Sequence, residues 1–262
     1  ITTEANPNSA TQEWLQGMYN LGVNRVSFGV QSFDKEKLKL LNRAHTPQQA
    51  IEAVTNAHKV GFENISLDLI YATYGDTKEL LQNDLNEAFK LPINHLSAYA
   101  LTIEEGTPFE SKPHMSKEVL DMTQWLFTKI TKHGFKQYEI SNFGTYQSSH
   151  NLGYWRYKDY IGLGSVAVGK LNNDRFYPTT DIELYIKNPL KIKTESLNNE
   201  DKKIEQIFLG FRSSVGVNKN ILNNDELKKA SILVDENKII LKSDTFYNKN
   251  YLLADEITLF IS

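Results

Sequence analysis

No cysteine occurs anywhere in the 262 residues. The chain therefore offers no disulfide, no thiol nucleophile and no thiolate ligand for zinc or an iron–sulfur cluster. A dominant charge is also lacking: 29 basic against 32 acidic residues leave a net charge of −3. That balance gives no electrostatic reason to expect nucleic acid or an anionic membrane surface as a partner. No run of about 18 apolar residues exists, so no transmembrane helix is expected, and no secretory signal pattern precedes the first strand. Together these absences predict a cytoplasmic chain. A P-loop, a nucleotide-binding glycine fingerprint, a serine elbow, a zincin motif, internal repeats and low-complexity tracts are absent too.

What is present is an ordinary globular composition, 40% hydrophobic and 23% charged, long enough for one large domain or a domain with an appendage. The first two thirds alternate strand and helix patterns. Segments 24–31, 64–72 and 95–102 are rich in β-branched and aromatic residues and read as strands. Between them, Thr46-Pro47 supplies an N-cap and a first-turn proline; Ala50, Ile51, Val54 and Ala57 form a helical face, and Gly61 ends it. Further helices are expected over 9–21, from Asp76-Thr77 onward, and over 116–133, the last with Val119, Met122, Leu126 and Ile130 as its stripe. A short strand over 136–140 follows.

This βαβα order implies parallel strands with right-handed crossovers, and ligands at the carboxyl ends of the strands. The polar residues there are Glu4, Asn6, Gln31, Ser32, Asp68, Tyr71 and Tyr99. Asp68 stands out, because it interrupts the apolar run Ile65 to Ile70. A buried carboxylate costs several kcal/mol unless paired, so Asp68 has either a partner or a ligand.

Further along, His150, Asn151, Tyr154, Trp155, Tyr157 and Tyr160 crowd into eleven residues and run into Gly162 and Gly164. Rings offer stacking faces and imidazole offers a metal ligand or a proton, so a flat conjugated ligand suits the segment. Packing of the same rings on the core is the plainer alternative. After residue 178 the pattern changes to helices over 181–187, 199–212 and 225–230, two strands around Asp235-Glu236-Asn237, and a final segment over 251–261. Helices followed by a hairpin suggest a small winged-helix-like domain. Its nine basic and ten acidic residues over 200–262 argue against a DNA-binding wing.

In order, the segments TTEANP (2–7), GVNRVSFGVQSF (22–33), LNRAHT (41–46), NISLDLIY (64–71), HLSAYALTIEEGTPF (95–109), QYEISNF (137–143) and HNLGYWRYKDYIGLG (150–164) resemble one family. It is the radical S-adenosylmethionine (SAM) proteins related to oxygen-independent coproporphyrinogen III oxidase, and within them the heme chaperones of the HemW type. The resemblance covers about residues 2–171. It implies an α/β fold, a partial (β/α) radical-SAM-type barrel with the aromatic and glycine segment that follows it over 1–175, and then the small, mostly helical winged-helix-like domain over 176–262. It also implies SAM contacts from Glu4, Gln31, Arg43, Asp68 and Ala100. Heme contacts are implied from His150, Asn151, Tyr154 and Trp155, with His150 as a candidate iron ligand. His45 is a second candidate histidine, whereas His58, His95, His114 and His133 read as incidental surface or strand-end residues.

The implied cofactors are SAM, heme and a 4Fe–4S cluster, and the implied partner is a heme-accepting protein. The alternatives are a porphyrin-biosynthetic oxidase of the same family and a degenerate scaffold. Three departures limit the resemblance. The family's CxxxCxxC cluster motif has no counterpart here, so this polypeptide alone is not expected to perform radical chemistry. A loop that usually reads Leu-Pro-Gly-Gln-Thr is Thr73-Tyr74-Gly75-Asp76-Thr77, and Val168 stands where relatives often have histidine. Because Ile1 reads as the tail of a strand, the expectation is that the first strands of the barrel are missing. The strand at 26–30 is then expected near an unpaired sheet edge, an aggregation liability.

Overall fold

Period-two alternation in the early strands sends apolar side chains to one face and small polar ones to the other. In β1 (Thr2–Ala5), β2 (Arg25–Gln31), β3 (Asn64–Tyr71) and β4 (His95–Ala100), the residues Val26, Phe28, Val30, Leu67, Leu69, Leu96 and Ala98 are all buried. They pack beneath α3 (Pro47–Val60) and α4 (Lys78–Lys90), with α1 (Gln12–Asn20) against α3 and the short α2 (Lys35–Leu40) following β2. The computed structural model describes residues 1–107, 109–117 and 120–262. Val119, expected on the stripe of the next helix, lies outside the described residues, and that helix, α5, spans Leu120–Lys132.

The helix boundaries follow their local chemistry. Thr46 and Gln49 form a reciprocal capping box at α3, Pro47 opens it, and Gly61 closes it at φ 114°. Thr77 caps α4 by accepting from the Leu80 backbone N–H. The short α2 has too few turns to show periodicity and was not expected from the sequence.

The four first strands are parallel, in the order β1-β2-β3-β4. Two short strands, β5 (Lys136–Gln137) and β6 (Asn142–Gly144), extend the sheet antiparallel beyond β4 in the order β4-β6-β5. The edge is β1 itself, and the strand at 26–30 lies next to it, covered by β1 only as far as Phe28.

Two compact units make up the chain, Ile1–Gln147 and Ser148–Ser262. The second unit takes in residues 148–175, the aromatic and glycine segment. It begins with α6 (Ser149–Trp155) and contains an antiparallel sheet of β7 (Gly169–Leu171), β8 (Asp174–Pro178) and β9 (Ile192–Ser196), with α7 (Ile182–Lys187) between the last two. Then come α8 (Asn199–Phe211), β10 (Val217–Asn218), α9 (Asn224–Asp235), the hairpin β11 (Ile239–Lys242) and β12 (Thr245–Asn248), and α10 (Ala254–Ile261). Helix–strand–helix–hairpin order of this kind is winged-helix-like, around Ile207, Phe211, Leu233, Phe246 and Ile257. The hairpin turns at Ser243-Asp244, both at positive φ, and not at 235–237, where α9 ends.

Candidate functional site

The face of the first sheet turned away from the helices carries a polar layer assembled by register. Glu4 stands opposite Ser27, Ser27 opposite Ser66, Asp68 opposite Ser97, and Ser97 opposite Asn142. Small hydroxyls at the centre of three successive strands leave room for the larger polar groups above them. Ser27 and Ser97 both hydrogen-bond Asp68. Burial nevertheless pushes the Asp68 carboxyl up to about 6; the Ser97 bond opposes this, Glu4 adds to it, and Arg25 opposes it more weakly.

Beneath Asp68, at the amino end of the strands, lies a closed aromatic layer. His95 is fully buried, with Ser66 Oγ 2.7 Å from Nδ1 and the Tyr138 hydroxyl 2.7 Å from Nε2. Burial and the nearby Arg25 drive its pKa down to about 3, so the ring is neutral. Arg25 Nε in turn donates to the Tyr146 hydroxyl at 3.0 Å. The incidental role expected for His95 is thus corrected: it is a fully bonded member of the core.

Above Asp68 the carboxyl ends of β1, β2 and β3 enclose a cavity of about 260 Å³ lined by Glu4, Asn6, Ser27, Gly29, Gln31 and Asp68. Three of the five residues expected to meet SAM therefore come together. Gln31 sits at φ 67°, beside a register break between β2 and β3, and its buried Oε1 has no hydrogen-bond partner among the described residues. Strained, bulged and under-bonded backbone corners of this kind concentrate at ligand sites. His45 supports the corner from behind, its Nε2 2.9 Å from the Val30 carbonyl oxygen.

Arg43 and Ala100 do not line this cavity. Arg43 is exposed after α2, and Ala100 alternates onto the helix-packed face, leaving Tyr99 as the β4 residue on the polar side. Glu139 went unnoticed in the sequence. It is 1% exposed, accepts from the Ser141 N–H and from Asn142, and burial raises its carboxyl to about 7. Besides Asp68, a sequence sign of the polar layer was serine recurring at mid-strand in VSF, ISL and LSA.

The aromatic segment of the second unit opens as a helix, because Ser148 caps the first turn by accepting from the Asn151 N–H. Helical spacing then divides the expected heme residues. His150 and Tyr154 share a face, with ring centroids 4.9 Å apart, and Tyr154 meets Tyr160 edge-on at 4.8 Å. Gly153 lies on that face with nothing within 4 Å of where a Cβ would stand, so the flank is open. Trp155 points elsewhere, into a separate cavity of about 190 Å³ with Gly216 and Val217, and its indole N–H is unbonded among the described residues. Asn151 is half-buried in the capping turn.

Comparison with known proteins agrees with this architecture. The radical SAM superfamily model matches residues 1–88. The heme chaperone HemW of Lactococcus lactis subsp. lactis is 34% identical over 230 residues, covering 83% of this chain and 60% of that protein. HemW of Buchnera aphidicola subsp. Acyrthosiphon pisum is 31% identical over 274 residues, covering 96% of this chain and 72% of that protein. The solved structure of coproporphyrinogen III oxidase (HemN) from Escherichia coli, a radical SAM enzyme, shares the fold. It aligns with a TM-score of 0.80 at 18% identity, over 100% of this chain and 69% of that one. The chain spans 60 to 62% of the length of the first two curated relatives it matches. By its sequence it belongs to the HemW family of radical SAM proteins.

Proposed function

We propose that the chain binds heme on the open face of α6 and SAM in the cavity at the carboxyl ends of β1–β3, as part of a heme chaperone. The observation that carries this reading is the ladder His150–Tyr154–Tyr160, an exposed imidazole followed by two edge-on rings on a face that Gly153 leaves open. An accessible imidazole nitrogen is an axial ligand for heme iron, and aromatic rings beside it bury the macrocycle. The relatives' names give the cargo as heme, and delivery to an accepting protein is part of the same reading.

The test is hemin titration of the whole chain, followed at the Soret band. A red shift saturating at micromolar hemin is expected, and His150→Ala should weaken it about tenfold or more, equivalent to about 1.4 kcal/mol. No shift with the unaltered chain at micromolar hemin sinks the proposal.

For SAM, two features fit the cavity to the ligand: the orphaned Gln31 Oε1 and the bare Cα of Gly29. A Cβ at Gly29 would lie 3.0 Å from Gln31 Nε2. Glu4 and Asp68 would accept from an ammonium or ribose hydroxyls, and Gln31 would bond a further polar edge. SAM supplies an adenosyl group and a sulfonium centre. This chain contributes no thiolate to a cluster, so the part assigned to its own residues is binding and orientation. Gly29→Ala is expected to shrink the SAM-induced rise in melting temperature while leaving the unliganded melting temperature within a few degrees. An undiminished rise would remove Gln31 and Gly29 from the SAM site.

A further inference from the structure

Directly beside Tyr154 the second unit holds a cavity of about 300 Å³ that the reading above leaves unused. Three of its walls are apolar: the rings of Tyr154, Tyr160 and Phe208. Its polar rim is mainly basic, with Lys158, Lys170 and Arg175 set against the single acid Glu205. Two of those cations are already satisfied. Arg175 donates to Glu205 at 2.5 Å, and Lys170 lies 2.8 Å from Asp159 and 4.3 Å from the centre of the Tyr157 ring. Lys158 is exposed and forms no ion pair among the described residues, although it stands on the rim of a cavity whose acid is taken.

The backbone that presents Lys158 is under strain. Tyr157 adopts φ 55°, a conformation that bulky residues rarely take and that costs on the order of 1 kcal/mol or more. It is held there by a 2.5 Å bond from its hydroxyl to Glu205 and by the Lys170 ammonium over its ring. That reversal after α6 brings Lys158 to the same cavity as Tyr154, with the Lys158 N–H bonded to the Gly153 carbonyl. Continuing the helix instead would carry residue 158 a full turn past Tyr154.

Apolar rings on one side and, among the described residues, one ammonium without an ion pair on the rim describe a site for the edge of a flat aromatic molecule bearing a carboxylate. We infer that this cavity is the carboxylate subsite of the heme-binding face: it takes the propionate edge of the macrocycle, and Lys158 pairs with a propionate. The inference rests on heme being the ligand of α6. It adds a determinant separate from the iron: recognition of the ligand's acid groups.

The test compares hemin with hemin dimethyl ester, whose carboxylates are capped, on the whole chain and on Lys158→Glu. The unaltered chain should bind hemin more tightly than the ester, and added salt should weaken the former alone. Lys158→Glu should weaken hemin about tenfold, the weight of one hydrogen bond between charged groups, while ester binding stays within about twofold. Equal affinity of the unaltered chain for both ligands, or equal weakening of both by Lys158→Glu, overturns the inference. If His150→Ala abolishes hemin binding and Lys158→Glu changes nothing, the α6 reading stands and the subsite falls. If neither ligand binds the unaltered, folded chain, both readings fall.

Discussion

Replacing Lys37 with methionine is expected to lower the unfolding free energy by about 3–5 kcal/mol, the range for removing one partner of a buried ion pair. The Lys37 ammonium lies 2.8 Å from Asp76 Oδ1 and 3.9 Å from Asp84 Oδ2, and all three side chains are 2–3% exposed. The Asp76 contact is one of charge, without hydrogen-bond alignment. Asp84 also accepts from the Ser32 hydroxyl at 2.9 Å and the Phe33 N–H at 2.6 Å, while Asp76 accepts from the Thr73 N–H. Without Lys37, two carboxylates remain in a site that no water reaches. Urea unfolding measures the loss. The triple variant Lys37→Met/Asp76→Asn/Asp84→Asn should recover most of it, since amide oxygens keep the backbone bonds without charge. A loss below about 1 kcal/mol for the single variant, at the level of a surface pair, contradicts the assignment.

The same network reaches the loop after β3. Asp76 falls in the loop Thr73-Tyr74-Gly75-Asp76-Thr77, and its charge is met by Lys37 from α2. Asp84 meanwhile fastens residues 32 and 33, the corner that follows Gln31. The network therefore sits directly behind the cavity lined by Glu4, Gln31 and Asp68.

Raising the pH from 5 to 8 should destabilise the first unit by several kcal/mol. Burial lifts Glu139 to about 7, and Asp68 and Asp84 to about 6, each above its unfolded value near 4. A carboxyl whose folded pKa is raised favours the folded state fully below the unfolded pKa. That contribution is lost as the pH climbs through the folded value, so the loss here falls between about pH 4 and 7. At about 1.4 kcal/mol for each pH unit between folded and unfolded pKa, Glu139 alone accounts for up to about 3 kcal/mol. It has no cation partner among the described residues, and its bonds come from Ser141 and Asn142. Glu139→Gln should flatten the dependence, equalling the unaltered chain near pH 5 and exceeding it at pH 8. An unchanged slope in that variant would show that Glu139 ionises freely in the folded state.

Much of the framework was legible beforehand because its signals are local. Thr46, Pro47 and Gly61 mark α3 by hydrogen bonds and backbone angles that neighbouring residues decide among themselves. Strands β2, β3 and β4 were legible because β-branched and aromatic residues concentrate in them. Strands β7 to β9 were not. They are short, and β9 is exposed at every position, so no apolar alternation betrays them. The turn expected at 235–237 was misplaced for a related reason: α9 carries on through Asp235, and the true turn, Ser243-Asp244, is polar within a polar surround.

The sequence by itself determined the βαβα order, the parallel sheet, the anomaly of Asp68, the family and the absence of cluster ligands. Each follows from residue type or from spacing along the chain. Tertiary structure alone decided which of those residues meet. Register brings Glu4, Gln31 and Asp68 to one cavity and leaves Arg43 and Ala100 outside it. Helical rotation pairs His150 with Tyr154 and turns Trp155 away. The buried charges follow the same rule. Lys37, Asp76 and Asp84 are unremarkable letters 39 and 8 positions apart, and only packing takes them out of water together, where each charge depends on its neighbours.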